Sequence, residues 1–226
     1  MLDINKNITP RLLMVASLVP KSDTVCDIGT DHGYVPIYLI KKGIAKKVIA
    51  ADINKGPLSA AKENIKQYNE AQNIETRLSD GFCAFAPGEA QTAVISGMGG
   101  ETIASILKKD IGASAFVLQP QTTMRELREF LCENNYIIEK EAVCREGRKM
   151  YVAMRAVRGK SRVLNEIELE IGPMLIKERP PLFCDYVLYR LYEINKVLGI
   201  IKGTDTAEEK IRKYTFLKTE YEKLLV

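Results

Sequence analysis

Thr24-Val25-Cys26-Asp27-Ile28-Gly29-Thr30-Asp31-His32-Gly33 joins a short β-branched apolar run to a polar, glycine-rich turn, and the amphipathic stretch Tyr34–Lys42 follows it directly. The same alternation continues downstream. Apolar runs recur at Lys47–Asp52, Ile74–Asp80, Thr92–Gly97 and Ala115–Pro120, with helical patterns at Pro57–Tyr68, Glu101–Lys109 and Met124–Asn134 between or after them. Strand–helix alternation at this spacing predicts βαβ units and a parallel sheet with helices on both faces. The runs are almost continuously apolar, as strands buried on both faces need to be. A further helix is predicted around Pro10–Val19, ahead of the first strand.

After residue 135 the pattern changes. Tyr136–Cys144 and Lys149–Val157 are strand-like, and only Arg145-Glu146-Gly147-Arg148 separates them. A connection that short permits only an antiparallel hairpin. The fold class expected is therefore α/β: a doubly wound parallel sheet finished by one antiparallel strand. Arg158-Gly159-Lys160 marks a break, which divides the chain into a domain of residues 1–158 and a second of residues 159–226. In the second domain, Val187, Leu191, Ile194, Leu198 and Ile201 recur at spacings of four and three, and Ile211, Tyr214, Leu217, Tyr221 and Leu224 do nearly the same. Lys202-Gly203-Thr204-Asp205 combines a glycine C-cap with a candidate N-cap, so these stretches read as a helical hairpin closed by an apolar seam.

Composition narrows the class. With 226 residues, 46% hydrophobic and 27% charged, the chain has the content of a globular protein of one domain plus an appendage, or of two small ones. No apolar stretch approaches the roughly 18 residues of a membrane span, and the N-terminus has no signal-peptide pattern, so the cytoplasm is the expected location. The five cysteines are widely spaced without a Cys-x-x-Cys, and there is a single histidine, His32. Neither a disulfide framework nor a metal site is suggested. The formal charge of +4 is compatible with a nucleic-acid partner without demanding one.

The turn at 27–33 carries the chemistry. A dinucleotide site needs G-x-G-x-x-G, so that a pyrophosphate can rest on backbone amides. Read from Gly29, that frame has Asp31 and Tyr34 where glycines belong, and Asp31 would repel a pyrophosphate. A nicotinamide oxidoreductase is disfavoured on this ground. S-adenosylmethionine-dependent methyltransferases favour an acid and then glycines at alternate positions. Asp27, Gly29 and Gly33 match that pattern, and Asp31 departs from the middle glycine. S-adenosylmethionine has no phosphate but carries an ammonium and a sulfonium, which carboxylates attract. Two further acids end the next strands. Asp52, with Ile53 beside it, stands where a carboxylate can accept both ribose hydroxyls. Asp80, with Gly81 and Phe82 after it, suits recognition of an adenine ring. Ligands of open α/β sheets bind at the carboxyl ends of the strands, so three acids at three successive ends form a constellation. The fourth strand ends Ser96-Gly97-Met98-Gly99-Gly100, leaving space and open backbone for a flat base. The fifth ends Gln119-Pro120-Gln121, two amides placed to meet a base edge.

Taken together, Asp27–Pro36, Ala51–Asn54, Ser79–Phe82, Ile95–Gly100 and Leu118–Gln121 resemble the bacterial tRNA (adenine-22-N1)-methyltransferase family along nearly the whole chain. The resemblance implies a Rossmann-like methyltransferase domain with a C-terminal helical hairpin, S-adenosyl-L-methionine as donor, and methylation of adenine N1 in the tRNA D-loop. It implies cofactor roles for Asp27, Gly29, Asp31, Gly33, Asp52 and Asp80, with Ile53 and Gly81 as their neighbours. The acceptor side falls to Ser96, Gly97, Met98 and Gly99, with His32 as a positioning residue. Candidate RNA contacts are Arg11, Gln119, Gln121, Arg145 and Arg148, and also Lys6, Lys41, Lys42 and Lys149. From residue 159 onward 12 Lys and Arg face 11 Asp and Glu, so the hairpin is nearly neutral. No obligate protein partner is evident, and a monomer or weak dimer is expected. The competing readings are a methyltransferase of this fold with another acceptor (ribosomal RNA, a protein or a metabolite) and a non-catalytic RNA-binding adaptor.

Overall fold

A computed structural model describes residues 2–109, 111–201 and 208–226. The first compact unit runs to Val163. In chain order it contains α1 (Pro10–Ser17), β1 (Ser22–Ile28), α2 (Tyr34–Lys41), β2 (Ala45–Asp52), α3 (Lys55–Gln67), β3 (Ile74–Leu78), β4 (Thr92–Gly99), α4 (Gly100–Leu107), β5 (Ala115–Thr122), α5 (Met124–Glu133), β6 (Tyr136–Glu146) and β7 (Lys149–Arg158). The seven strands form one sheet in the order β3-β2-β1-β4-β5-β7-β6. β1 to β5 are parallel to one another, and β7 runs antiparallel to both β5 and β6. The antiparallel strand is thus inserted one place in from the edge, between β5 and β6.

Helices cover the sheet in two groups. α1 packs on α2 and α2 on α3, whereas α4 packs on α5. Side chains alternate between the faces of a strand. Val25, Val48, Val94 and Val117 point into the core shared with α1, α2 and α3. Two residues further along β1 and β2, and two further along β4 and β5, the same face carries Asp27, Ala50, Ser96 and Gln119; Asp52 closes the β2 row. The polar residues at the strand ends therefore all fall on the α1–α3 face, at the carboxyl rim. On the opposite side Arg128 of α5 pairs with Glu141 of β6 at 2.9 Å, both side chains fully buried.

Residues 159–163 stay with the first unit: the Gly159 amide donates to the Asn135 carbonyl, and the Ser161 hydroxyl lies 3.5 Å from Cys132 Sγ. The second unit, Leu164–Val226, contains α6 (Glu166–Ile171), α7 (Pro173–Glu178), α8 (Phe183–Ile201) and α9 (Glu208–Lys223). Asn165 caps α6 in a reciprocal box with Glu168, and Gly172 separates α6 from α7, which starts at Pro173. α8 packs on α9 through Val187, Leu191 and Ile194 on one side and Leu217 and Tyr221 on the other, all buried. Arg190 of α8 is tied to Glu170 of α6 at 2.8 Å. The turn expected at Lys202-Gly203-Thr204-Asp205 lies outside the described residues. No helix among the described residues is long and apolar enough to cross a membrane.

Candidate active site at the carboxyl rim of the sheet

β1 lies between β2 and β4, and Asp27, its sixth residue, is only 3% exposed. Burial pushes the Asp27 carboxyl up to about 7; the Thr30 hydroxyl opposes that shift and the nearby Asp52 charge adds to it. No salt bridge reaches this carboxyl from a basic side chain among the described residues. Beyond Ile28 the chain turns sharply, and the amides of Gly29 and Thr30 both donate to the Ala51 carbonyl, at 2.8 and 3.0 Å. Gly29 has φ +76, and a Cβ there would overlap the Met98 methyl group. Gly33, at φ +71, starts α2 where a Cβ would press on Ala61 of α3 at 3.3 Å. Asp31 takes a left-handed conformation, φ +40, which aspartate tolerates better than most residues. That backbone demand explains why glycine is the commoner choice at this place in the turn.

A cavity of about 210 Å³ opens at this rim. The β1 turn contributes Asp27, Gly29, Asp31 and His32; β4 contributes Ser96 and Gly97; Arg11 comes from α1 and Gln121 from β5. The cavity thus brings together residues expected on the cofactor side and residues expected on the acceptor side. His32 is exposed, its Nε2 is 3.6 Å from Asp31, and its ring stacks on Tyr34. Thr30, Tyr34, Val35 and Leu12 also line the cavity. The first three lie in the quoted motif; Leu12 carried no signal beyond its apolar spacing in α1.

Asp52 and Asp80 stand along the rim from this cavity, at the ends of β2 and β3. Asp52 is 9% exposed, and its Oδ1 accepts the Asn54 amide at 2.7 Å. The Ser79 amide donates to the Asp52 carbonyl, and the Ser79 hydroxyl bridges the Gly81 carbonyl and the Ala84 amide. The turn carrying exposed Asp80 and buried Gly81 is therefore pinned to the end of β2. Ile53, grouped above with the cofactor residues, is 59% exposed. One step past Asp52, it leaves the face on which Asp27 and Asp52 lie.

Several expected RNA contacts do not line the cavity. Gln119 has no exposed surface. Arg11 Nη1 and Gln121 Nε2 both donate to its Oε1, at 3.0 and 3.2 Å, while its own Nε2 donates to the Pro120 carbonyl. It stands one layer behind the cavity wall, with its amide engaged inside the protein. Lys41 is paired with Glu70 at 2.7 Å. Arg145, Arg148 and Lys149 are exposed around the β6–β7 turn, apart from the cavity lining. Between the two arginines, Glu146 accepts the backbone amide of Arg11 at 3.0 Å, which anchors the start of α1 to the hairpin. Met98 reaches back to Gly29 and Gly99 lies against Thr122, so neither of them lines the cavity itself.

Known proteins resemble this chain over most of its length. A family model described as a methyltransferase domain matches residues 8–154. The tRNA (adenine(22)-N(1))-methyltransferase of Bacillus subtilis (strain 168) is 30% identical over 213 residues, spanning 90% of each chain. A Streptococcus pneumoniae protein solved in complex with S-adenosyl-L-methionine superposes with a TM-score of 0.85 at 28% identity, covering 97% of this chain and 100% of that one. M. capricolum TrmK, solved with S-adenosyl-homocysteine, gives a TM-score of 0.81 at 29% identity, covering 96% of this chain and 97% of that one.

Proposed function

The chain belongs to the tRNA (adenine(22)-N(1))-methyltransferase family, and from this we propose that it transfers a methyl group from S-adenosylmethionine to N1 of an adenine in tRNA, at position 22 of the D-loop. The observation that carries the reading is the buried Asp27 carboxyl, which lines a cavity shared with Ser96 and Gly97 and has no salt-bridge partner among the described residues. A buried carboxylate without a cation is costly, and a cationic ligand removes that cost. The rim fits this donor. Asp27 faces its cationic end, Asp52 its ribose hydroxyls, Asp80 and Gly81 its adenine, and bare Gly29 allows close approach. When bound, S-adenosylmethionine supplies an electrophilic methyl group on a sulfonium. The chain need supply neither a nucleophile nor a general base, because adenine N1 has a lone pair and carries no proton. Its residues orient and exclude water, and good orientation is worth roughly 7–11 kcal/mol. Ser96 and Gly97 leave room for a flat base that must first leave its stack, at a cost of a few kcal/mol. His32 takes a positioning role at the mouth.

Exposed Lys6, Lys42, Arg148 and Lys149 provide phosphate contacts, so binding of tRNA weakens steeply with salt. The methyl transfer is assigned to the unit that ends at Val163, with the unit from Leu164 as the helical domain. The protein acts on tRNA in the cytoplasm as a monomer or weak dimer. Incubation with labelled donor and bulk tRNA, followed by nucleoside analysis, tests the function. Label in 1-methyladenosine is expected; label in another nucleoside, or none, overturns the reading.

Asp27 also makes a pH prediction. A cation binds the ionised carboxylate, and the proton competes with it below the carboxyl's raised value of about 7. Affinity for S-adenosylmethionine therefore falls as the pH drops, by roughly fivefold from pH 7 to pH 6, as the ionised fraction falls from about one half to about one tenth. Asp27→Asn binds weakly and with little pH dependence over this range. Calorimetry at the two pH values checks both statements, and an equal pH dependence in the variant would assign the titration to another group.

A further inference from the structure

We propose that Gln121 selects adenine by accepting a hydrogen bond from its 6-amino group through Oε1, and that Arg11 and Gln119 are positioning residues that fix which end of the Gln121 amide is offered. The inference rests on the methyl-transfer reading above and goes further, to how the acceptor base is chosen.

A glutamine amide has two ends of similar shape and opposite hydrogen-bonding character. Its orientation is ordinarily set by whatever network surrounds it. Here the network starts from a group without a choice. A guanidinium only donates, so the Gln119 atom 3.0 Å from Arg11 Nη1 is the oxygen. The other end of Gln119 lies 2.8 Å from the Pro120 carbonyl, which only accepts, and that contact demands the same orientation independently. Gln119 is fully buried, so no solvent competes. Its oxygen in turn requires a donor from Gln121, and Nε2 supplies it at 3.2 Å. Gln121 Oε1 is left as the end without a hydrogen-bond partner among the described residues, on an exposed side chain that lines the cavity beside Ser96 and Gly97. Arg11 is itself held at two further points. Its amide donates to Glu146 at 3.0 Å, and its guanidinium lies over the Tyr151 ring at 5.7 Å.

An acceptor is the useful end for this reaction. Adenine carries a donor, the 6-amino group, next to the N1 lone pair. Guanine and hypoxanthine carry an acceptor, O6, next to an N1–H. An amide oxygen therefore pairs with adenine and repels the 6-oxo purines. The opposite orientation would fail twice: an N–H offered at this edge would welcome O6, and on adenine it would tie up the lone pair that has to react.

The test uses tRNA transcripts with either adenine or unsubstituted purine at the target position, in single-turnover methylation by wild type, Gln121→Ala and Arg11→Met. Purine keeps N1 and lacks the 6-amino group; its different intrinsic nucleophilicity cancels when each variant is compared with wild type on the same transcript. Gln121→Ala is expected to slow transfer to adenine about tenfold and transfer to purine less than about twofold. Arg11→Met, which leaves the Gln119 orientation to the Pro120 carbonyl alone, is expected to lower the adenine-to-purine ratio in the same direction but by less than Gln121→Ala, with cofactor affinity retained. Equal losses on both transcripts in Gln121→Ala overturn the inference while leaving the function standing. An unchanged ratio in Arg11→Met overturns the positioning role. Absence of 1-methyladenosine from wild type on the adenine transcript overturns the function, and the inference with it.

Discussion

Replacing Asp52 with alanine lowers the affinity for S-adenosylmethionine by about two to four orders of magnitude, with little change in folding. Asp52 is preset for a ligand. It ends β2 on the face that carries Asp27, its Oδ1 is held by the Asn54 amide at 2.7 Å, and its backbone carbonyl holds the Ser79 amide. The carboxylate therefore loses little freedom when two ribose hydroxyls donate to it. Hydrogen bonds to a charged group contribute about 1.5–3 kcal/mol each, so losing two removes about 3–6 kcal/mol. A secondary effect follows at Asp27, whose carboxyl is raised in part by the Asp52 charge. In the variant the pH dependence of binding moves to lower pH. Calorimetry measures both effects, and an affinity within about fivefold of wild type would remove Asp52 from the ribose.

The second large effect separates binding from transfer. Gly97→Leu keeps the affinity for S-adenosylmethionine within about threefold of wild type and slows methylation at least about a hundredfold. Gly97 lies at φ +81, where β4 shifts register against β5, and it is an exposed part of the cavity wall. A Cβ there stands 3.6 Å from Arg11 Nη1, so a larger side chain grows into the acceptor side of the cavity. The left-handed backbone adds roughly 1–2 kcal/mol of folding cost, which lowers the melting temperature by several degrees without unfolding the sheet. Single-turnover methylation beside a binding isotherm is the measurement. Transfer at more than a tenth of the wild-type rate would mean that the acceptor enters elsewhere.

Much of this architecture was legible before the structure. The apolar runs mark β1, β2, β4 and β5, because strands covered on both faces leave no position for a long polar stretch, whereas the edge strand β3, Ile-Glu-Thr-Arg-Leu, is half-exposed. The place of Asp27 and Asp52 at the carboxyl rim was legible because they end strands of a sheet whose ligands bind at that end. What was hidden depended on contacts between distant segments. The two hairpin strands are alike in composition, so nothing local says that β7 and not β6 lies against β5. Arg11 reads as an RNA contact in the sequence, yet its amide bonds to Glu146, 135 residues away, and its side chain lines the cavity. Gln119 and Gln121 look equivalent in Gln-Pro-Gln. The Arg11 guanidinium on Gln119 makes one of them a buried support and leaves the other at the cavity wall. Ile53 follows Asp52 in the chain but, one residue on, turns to solvent. The segment between Lys160 and Pro180 shows no helical period in the sequence because its two helices have six residues each, too short to show one.

A crystal structure with S-adenosylhomocysteine bound would examine the rim itself. The ligand's ammonium is expected within hydrogen-bonding reach of the Asp27 carboxylate and its ribose on Asp52. Density for it away from β1 and β2, or an Asp27 side chain turned from the cavity, would contradict the carboxylate cradle on which the proposed chemistry depends.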